Sequence, residues 1–382
     1  NRCHRQNMKT SIINGSEVSR LSVAIHESAY QAIAEFFTEK PFVLFGTGTS
    51  CALDLNFGMP ALEHHLRAEL TSGMTDTQAQ QWQQVVSVLD EGSHDFESAM
   101  DFIKDEALTT RIVELTASFV AYHDNAHAHQ IISGLRDWPA GSLLKKLVET
   151  LPQADKQLHV ATPNYDLLAE YAFVRHKIPY ITGFYGGFLQ RYDWNEAKKT
   201  VQSIHKGLGK PRQSPRIVEC KHVRLHKPHG SLNTFEWEAH LIECNSWILN
   251  KPEGVVRAMI TPGTAKYQRL HKDRAQLAEY DNAVGNHTCF LFLGFGFNDS
   301  QLVNNVFRQK LEQDQCRALV ITRDSNPRIE EWLDKCPNMW LICKQTTSDK
   351  SRIYNSKFEN WLHVDDKELW RFDAFTNEFL GG

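Results

Sequence analysis

Apolar residues along this chain fall into two alternating rhythms. Over residues 16–38, Leu21, Ala24, Ile25, Ala29, Ala32, Ile33, Phe36 and Phe37 recur at helical spacing and predict a lead-in helix. FVLFGTGTS at 42–50 is a short apolar run that breaks into glycine and small hydroxyl residues, as a buried strand does on entering a tight loop. Helical spacing then returns from Pro60, a first-turn proline, to Leu151. Its stripes are Leu62, Leu66 and Leu70; Trp82, Val85, Val86 and Leu89; Ile112, Leu115, Phe119 and Val120. A fourth stripe, Leu143, Leu144, Leu147, Val148 and Leu151, follows Ser142 as a candidate cap. About 90 residues of helix between two strands is far longer than an ordinary crossover, so a helical insertion is predicted over about 57–151.

Strands are predicted next at 158–162, 217–225, 239–244, 255–260, 288–293, 317–322 and 339–343. Continuous apolar runs such as CFLFLG and ALVIT, each leading through a polar turn into a helical stretch, predict a parallel sheet covered on both faces. The expected fold class is therefore α/β, a Rossmann-like parallel sheet with a large helical insertion or small domain. Residues 1–39 form its lead-in, 40–345 the main domain, and 346–382 an aromatic helical extension carrying Leu369, Trp370, Phe372, Phe375, Phe379 and Leu380. Residues 183–215, rich in glycine, lysine and aromatics, are expected to form a long loop or lid.

Composition narrows the class. The 382 residues are 41% hydrophobic and 23% charged, ordinary values for a globular chain with a real core. A net charge of −4 gives no global footprint for nucleic acid or anionic membrane, so direct contact with either is not expected. No run approaches the roughly 18 apolar residues of a membrane span. The polar, basic start has no apolar signal segment; Met8 is a candidate natural start, with Asn1–Asn7 upstream of it. The eight cysteines are scattered, without a C-x-x-C pair, and are expected to be reduced and mostly packed in a core. A cytoplasmic protein without a zinc site is the expectation.

In a doubly wound sheet, ligands bind beyond the carboxyl ends of the strands. Gly46-Thr47-Gly48-Thr49-Ser50 follows the first strand, where glycines permit close approach and hydroxyls can meet phosphate oxygens. It fits neither common phosphate-loop pattern, and a plain tight turn explains it equally. Thr162-Pro163-Asn164-Tyr165-Asp166 follows the second strand, where an amide and a carboxylate could hold a polar ligand or simply form an Asx turn. His229, in LHKPHGS, is a candidate general base, although the chain has 18 histidines and most must be structural. Gly294-Phe295-Gly296-Phe297-Asn298-Asp299 follows a later strand and could meet a ribose.

Taken in order, these four blocks resemble the SIR2-like, sirtuin-related, NAD-consuming domains. FGMPALEHHL, TPNYDLLAEYAF, LHKPHGSLNTF, ITPGTAKY at 260–267 and FLGFGFNDSQL are more narrowly similar to bacterial SIR2-like proteins of anti-phage defence, above all the SIR2 protein of SIR2–HerA systems. The likeness covers roughly residues 40–310. It implies that Gly46, Thr47, Gly48 and Ser50 cradle the phosphates of NAD. It gives Asn164 the ribose or the attacking water, Asp166 the carboxamide, and His229 the role of general base. Gly230 belongs to the same His-Gly block, and Gly294, Gly296, Asn298 and Asp299 would line the adenosine ribose. Deacetylating sirtuins carry two C-x-x-C pairs and a glutamine where this chain has Thr-Pro-Asn, so the resemblance implies hydrolysis of NAD to nicotinamide and ADP-ribose. It further implies a homo-oligomeric defence effector partnered by a HerA-like ATPase, or secondly by an Argonaute-like protein.

Two other classes compete: a zinc-less protein deacylase, and a non-catalytic sensor of NAD or ADP-ribose. A pure sensor does not need both Asn164 and His229. Other signals carry less. His123 and His127 stand at i and i+4 but without an H-E-x-x-H pattern, so a solvated helix face is expected there. Gly207-Leu208-Gly209-Lys210 lacks phosphate-loop spacing. The basic run from Lys198 to Arg224 reads as a solvated lid, and Cys51 as a packed small residue.

Overall fold

The computed structural model describes residues 15–205, 216–261 and 274–381. Met8 with its upstream residues, the Gly207–Lys210 segment and most of the ITPGTAKY block lie outside them. In chain order the strands are β1 (Phe42–Phe45), β2 (Gln157–Ala161), β3 (Tyr180–Ile181), β4 (Phe184–Gly186), β5 (Gln190–Tyr192), β6 (Gln202–His205), β7 (Arg216–Glu219) and β8 (His222–His226). They continue with β9 (Thr234–Trp237), β10 (His240–Glu243), β11 (Val256–Arg257), β12 (Cys289–Leu293), β13 (Arg317–Ile321), β14 (Met339–Lys344), β15 (Ser351–Tyr354) and β16 (Leu362–Val364).

Nine strands make the main sheet, in the order β16-β15-β14-β13-β12-β1-β2-β8-β3. From β14 to β3 every pairing is parallel. β1 is central: the chain builds outward from it through β2, then returns to its other side at β12. That reversal creates a crevice between the loops following β1 and β12. Alternation along β1 divides the core into two layers. Val43 and Phe45 face a cluster with Ile33, Leu144, Leu147 and Phe375, while Phe42 and Leu44 face Tyr280, Phe307 and Leu333. The expected Rossmann-like α/β class is the observed one.

The helices between β1 and β2 are α1's successors; α1 itself is Gly15–Phe36. They run α2 (Thr47–Cys51), α3 (Met59–Glu69), α4 (Asp76–Asp90), α5 (Phe96–Ala99), α6 (Glu106–Ser133) and α7 (Gly141–Glu149). Leu62, Leu66, Trp82, Val85, Phe96, Leu108 and Ile112 form a separate helical core. Pro60 occupies the first turn of α3 as predicted. Leu143, Leu144, Leu147 and Val148 instead cover the main sheet. Ser142 does not cap α7, which begins one residue earlier and has no side-chain cap.

Several expectations require correction. The predicted strand 217–225 divides at Cys220-Lys221: β7 pairs with β6 in a separate ribbon, and only β8 enters the main sheet. The predicted strands 239–244 and 255–260 belong to a five-stranded antiparallel sheet, β11-β9-β10-β5-β4. Only Glu238 and Ala239, both at positive φ, join β9 to β10, and so short a hairpin cannot make a parallel crossover. The expected lid at 183–215 is, in its described part, regular structure: β4, β5, α9 (Trp194–Lys199, capped by Asp193) and β6. The closing segment is helical only in its last part. Ser351–Tyr354, with alternate residues buried, and Leu362–Val364 add two antiparallel strands to the main sheet, followed by a short helix at Phe372–Thr376 that runs on into a π-helical stretch at Asn377–Gly381. Cys244, Cys289, Cys336 and Cys343 are buried, whereas Cys220 is exposed. No described helix is long and apolar enough to cross a membrane.

Candidate active site at the switch point

The loops after β1 and β12 meet at the crevice. Gly46 N–H donates to the Leu293 carbonyl and Gly48 N–H to the Gly294 carbonyl, both at 3.0 Å. A Cβ on Gly48 would fall 2.7 Å from the Gly294 oxygen, and Gly294 sits at φ +54° with its own Cβ position 2.7 Å from Gly48. Two backbones in direct contact leave no room for side chains. The glycines are thus required by loop-on-loop packing, and the Gly46 and Gly48 N–H groups are already spent on carbonyls, not held ready for phosphate.

Ser50 departs from its expected phosphate role in the same way. It is fully buried, and its hydroxyl donates to Asp166 Oδ2 at 2.8 Å. Asn164 Nδ2 donates to the Gly46 carbonyl at 3.1 Å and to Ser50 Oγ at 3.0 Å. Because a carbonyl can only accept, this fixes which way the amide points. Asn164 Oδ1 is left buried with no partner. Asp166 accepts from Leu168 N–H through its other oxygen, so both its oxygens are engaged. Burial pushes its carboxyl above the usual range although Lys227 and Ser50 pull the other way.

His229 stands at the end of a tight turn after β8, closed by Gly230 N–H on the Lys227 carbonyl. Gly230 adopts φ +71°, and a Cβ there would lie 2.1 Å from the Ala258 oxygen. It shapes the turn and does not line the cavity. His229 Nε2 lies 2.6 Å from Asp299 Oδ2, with both residues buried. Asp299 Oδ1 also accepts from the N–H groups of Gln301 and Leu302. Asp299, expected at the adenosine ribose, holds the histidine and lines the cavity beside it. The turn bringing it there includes Phe297 at φ +60°, rare for a bulky residue and kept by packing on Phe292, Phe295 and Trp332.

These groups share one cavity of about 450 Å3, within the size range of small-molecule sites. Gly46, Thr47, Gly48, Asn164, Asp166, His229, Gly294, Gly296, Asn298 and Asp299 all line it. The sequence reading missed Thr322, directly after β13, which the strand-end rule would have caught. It also missed Phe57, Met59 and Phe119 as an apolar wall of the cavity; Phe57 and Met59 belong to the FGMPALEHHL block, whose place beside the crevice is set by tertiary packing. Cys51 lines the cavity too, but burial pushes its thiol up to about 11, so it is no nucleophile at neutral pH. His127 is not on a solvated face: it is buried, with Nε2 2.9 Å from Asp54 Oδ2. Among the described residues no group of three or more His, Cys, Asp or Glu is arranged to hold a metal ion.

A parallel α/β sheet with a histidine–carboxylate pair and a buried amide at its switch point is a Rossmann-like protein with an enzyme-like crevice. Residues 158–338 match the family model of the SIR2-like domain, and SIR2-like domains bind NAD. Among curated proteins none matches the chain.

Proposed function

We propose that this crevice binds NAD and hydrolyses the bond between nicotinamide and ribose. The observation that carries the reading is the pairing of two groups on one cavity: His229 held by Asp299, and Asn164 with a buried, unpartnered Oδ1. The bond's electrons leave with the nicotinamide nitrogen, which becomes neutral, and C1′ acquires oxocarbenium character. Water attacks C1′ and its proton passes to His229, giving ADP-ribose, nicotinamide and one proton. Asn164 Oδ1 accepts from the water or a ribose hydroxyl and fixes its place. Asp299 orients the imidazole. The apolar wall of Phe57, Met59 and Phe119 limits bulk water near the reacting carbon. Depletion of a dinucleotide shared by a whole cell suits an abortive anti-phage effector, released from restraint by assembly or by a HerA-like ATPase.

The test is NAD turnover by the purified chain, alone and with a candidate ATPase, for wild type, Asn164→Ala and His229→Ala. Release of nicotinamide and ADP-ribose without any acyl peptide, lost in both variants, is expected. NAD binding without turnover under every condition would replace hydrolysis with sensing.

A further inference from the structure

A second cavity, of about 710 Å3, lies beside Leu167, between α8 (Leu168–His176), β3–β5 and β10. Two carboxylates, Glu170 and Glu243, line it, and among the described residues no lysine, arginine or histidine does. Glu170 is 8% exposed and Glu243 9%. Glu170 Oε1 accepts from Lys227 Nζ at 2.6 Å, and that ammonium also donates to the Asp166 carbonyl at 2.7 Å. Glu170 Oε2 is buried and meets no partner. Glu243 Oε2 accepts only a hydroxyl, from Thr182 at 3.0 Å. Lys227 acts electrostatically on three buried carboxyl groups, those of Asp166, Glu170 and Glu243, and a buried carboxylate without a counter-charge is costly. Burial, with the charge of Glu170 added, pushes Glu243 up to about 8.

The walls suit the missing charge. Tyr171, Tyr180 and Tyr185 line the cavity, and Phe188, 73% exposed, stands beside them. Aromatic faces attract a cation and pack along an alkyl stem. We infer that this cavity is a binding site for an alkylammonium group, with Glu170 Oε2 and the Glu243 carboxyl group as its floor. A protein lysine and a small free amine offer the same chemistry.

Calorimetric titration of the full chain, without NAD, distinguishes the outcomes. The probes are n-butylammonium, Nα-acetyl-lysine methylamide and the neutral Nα-acetyl-norleucine methylamide; the proteins are wild type, Glu170→Gln and Glu243→Gln. Saturable binding of the ammonium probes is expected, absent for the neutral one and weakened about tenfold or more in each variant. Tighter binding of the lysine derivative identifies a protein side chain as the occupant, and tighter binding of n-butylammonium a free amine; either supports the site. Equal binding of the neutral probe, no saturable binding, or an affinity unchanged by both substitutions overturns it. Circular dichroism checks each variant, and the two report independently if one fails to fold.

Discussion

The two sides of the switch-point cavity are built on different principles. On one side Asn164, Ser50 and Asp166 form a chain of neutral and acidic groups whose hydrogen bonds run inward to one another and to the Gly46 backbone. On the other, His229 and Asp299 form a titratable pair. The first side can hold a geometry but has little proton chemistry to offer; the second can exchange a proton. Division of labour of this kind suits a reaction whose leaving group departs without protonation and whose nucleophile needs only one proton removed.

Substitutions can separate the sides. The largest effect is expected for His229→Ala, which removes the proposed base: turnover should fall by about 10²–10⁴-fold while NAD still binds, read by product release and by calorimetry. Loss of NAD binding alongside turnover would show that the histidine holds the ligand instead. Asp299→Asn keeps the shape of the pair and removes its charge, so turnover should fall by roughly 10–100-fold, read by product release. Turnover identical to wild type would remove Asp299 from the orienting role. Ser50→Ala breaks the inward chain at its middle and leaves buried Asp166 short of a donor. A loss of about 1–3 kcal/mol in denaturant stability is expected, with turnover lowered less than in either histidine-side variant. The smallest effect on turnover should come from Asp124→Asn. Asp124 accepts from Leu167 N–H and Tyr171 O–H, and burial pushes its carboxyl up to about 7. The folded chain binds that proton more tightly than the unfolded chain, so this group's contribution is present in acid and fades as pH rises from about 4 towards 7. The variant should lose that slope while turning over NAD as before; an unchanged slope would place the titration elsewhere.

The strands that were legible in the sequence are those buried on both faces. FVLF, CFLFL, ALVI and MWLIC are continuous apolar runs because both sheet faces are covered, and the rule that ligands gather beyond their carboxyl ends located most of the cavity. β4, β5, β9 and β15 escaped because they are short and half-exposed, with too few residues to show a period. The roles of Ser50 and Asp299 escaped for another reason. Each was placed by its position in a loop, whereas its partner, 116 or 70 residues away, is set by tertiary packing. Gly46 and Gly48 were found, but what they meet is another backbone, which spacing alone does not reveal.

One feature of the main sheet bears on how copies of this chain could come together. Among the described residues its two outer strands are the two-residue β3 and the three-residue β16. A neighbouring chain seeking to extend the sheet would find at most three residues of open ladder on either margin, too few to anchor a strand. Higher-order assembly through the main sheet must therefore be written in side chains on its covering helices and loops, where register and partner can be chosen, and not in backbone ladders, which would accept any extended segment.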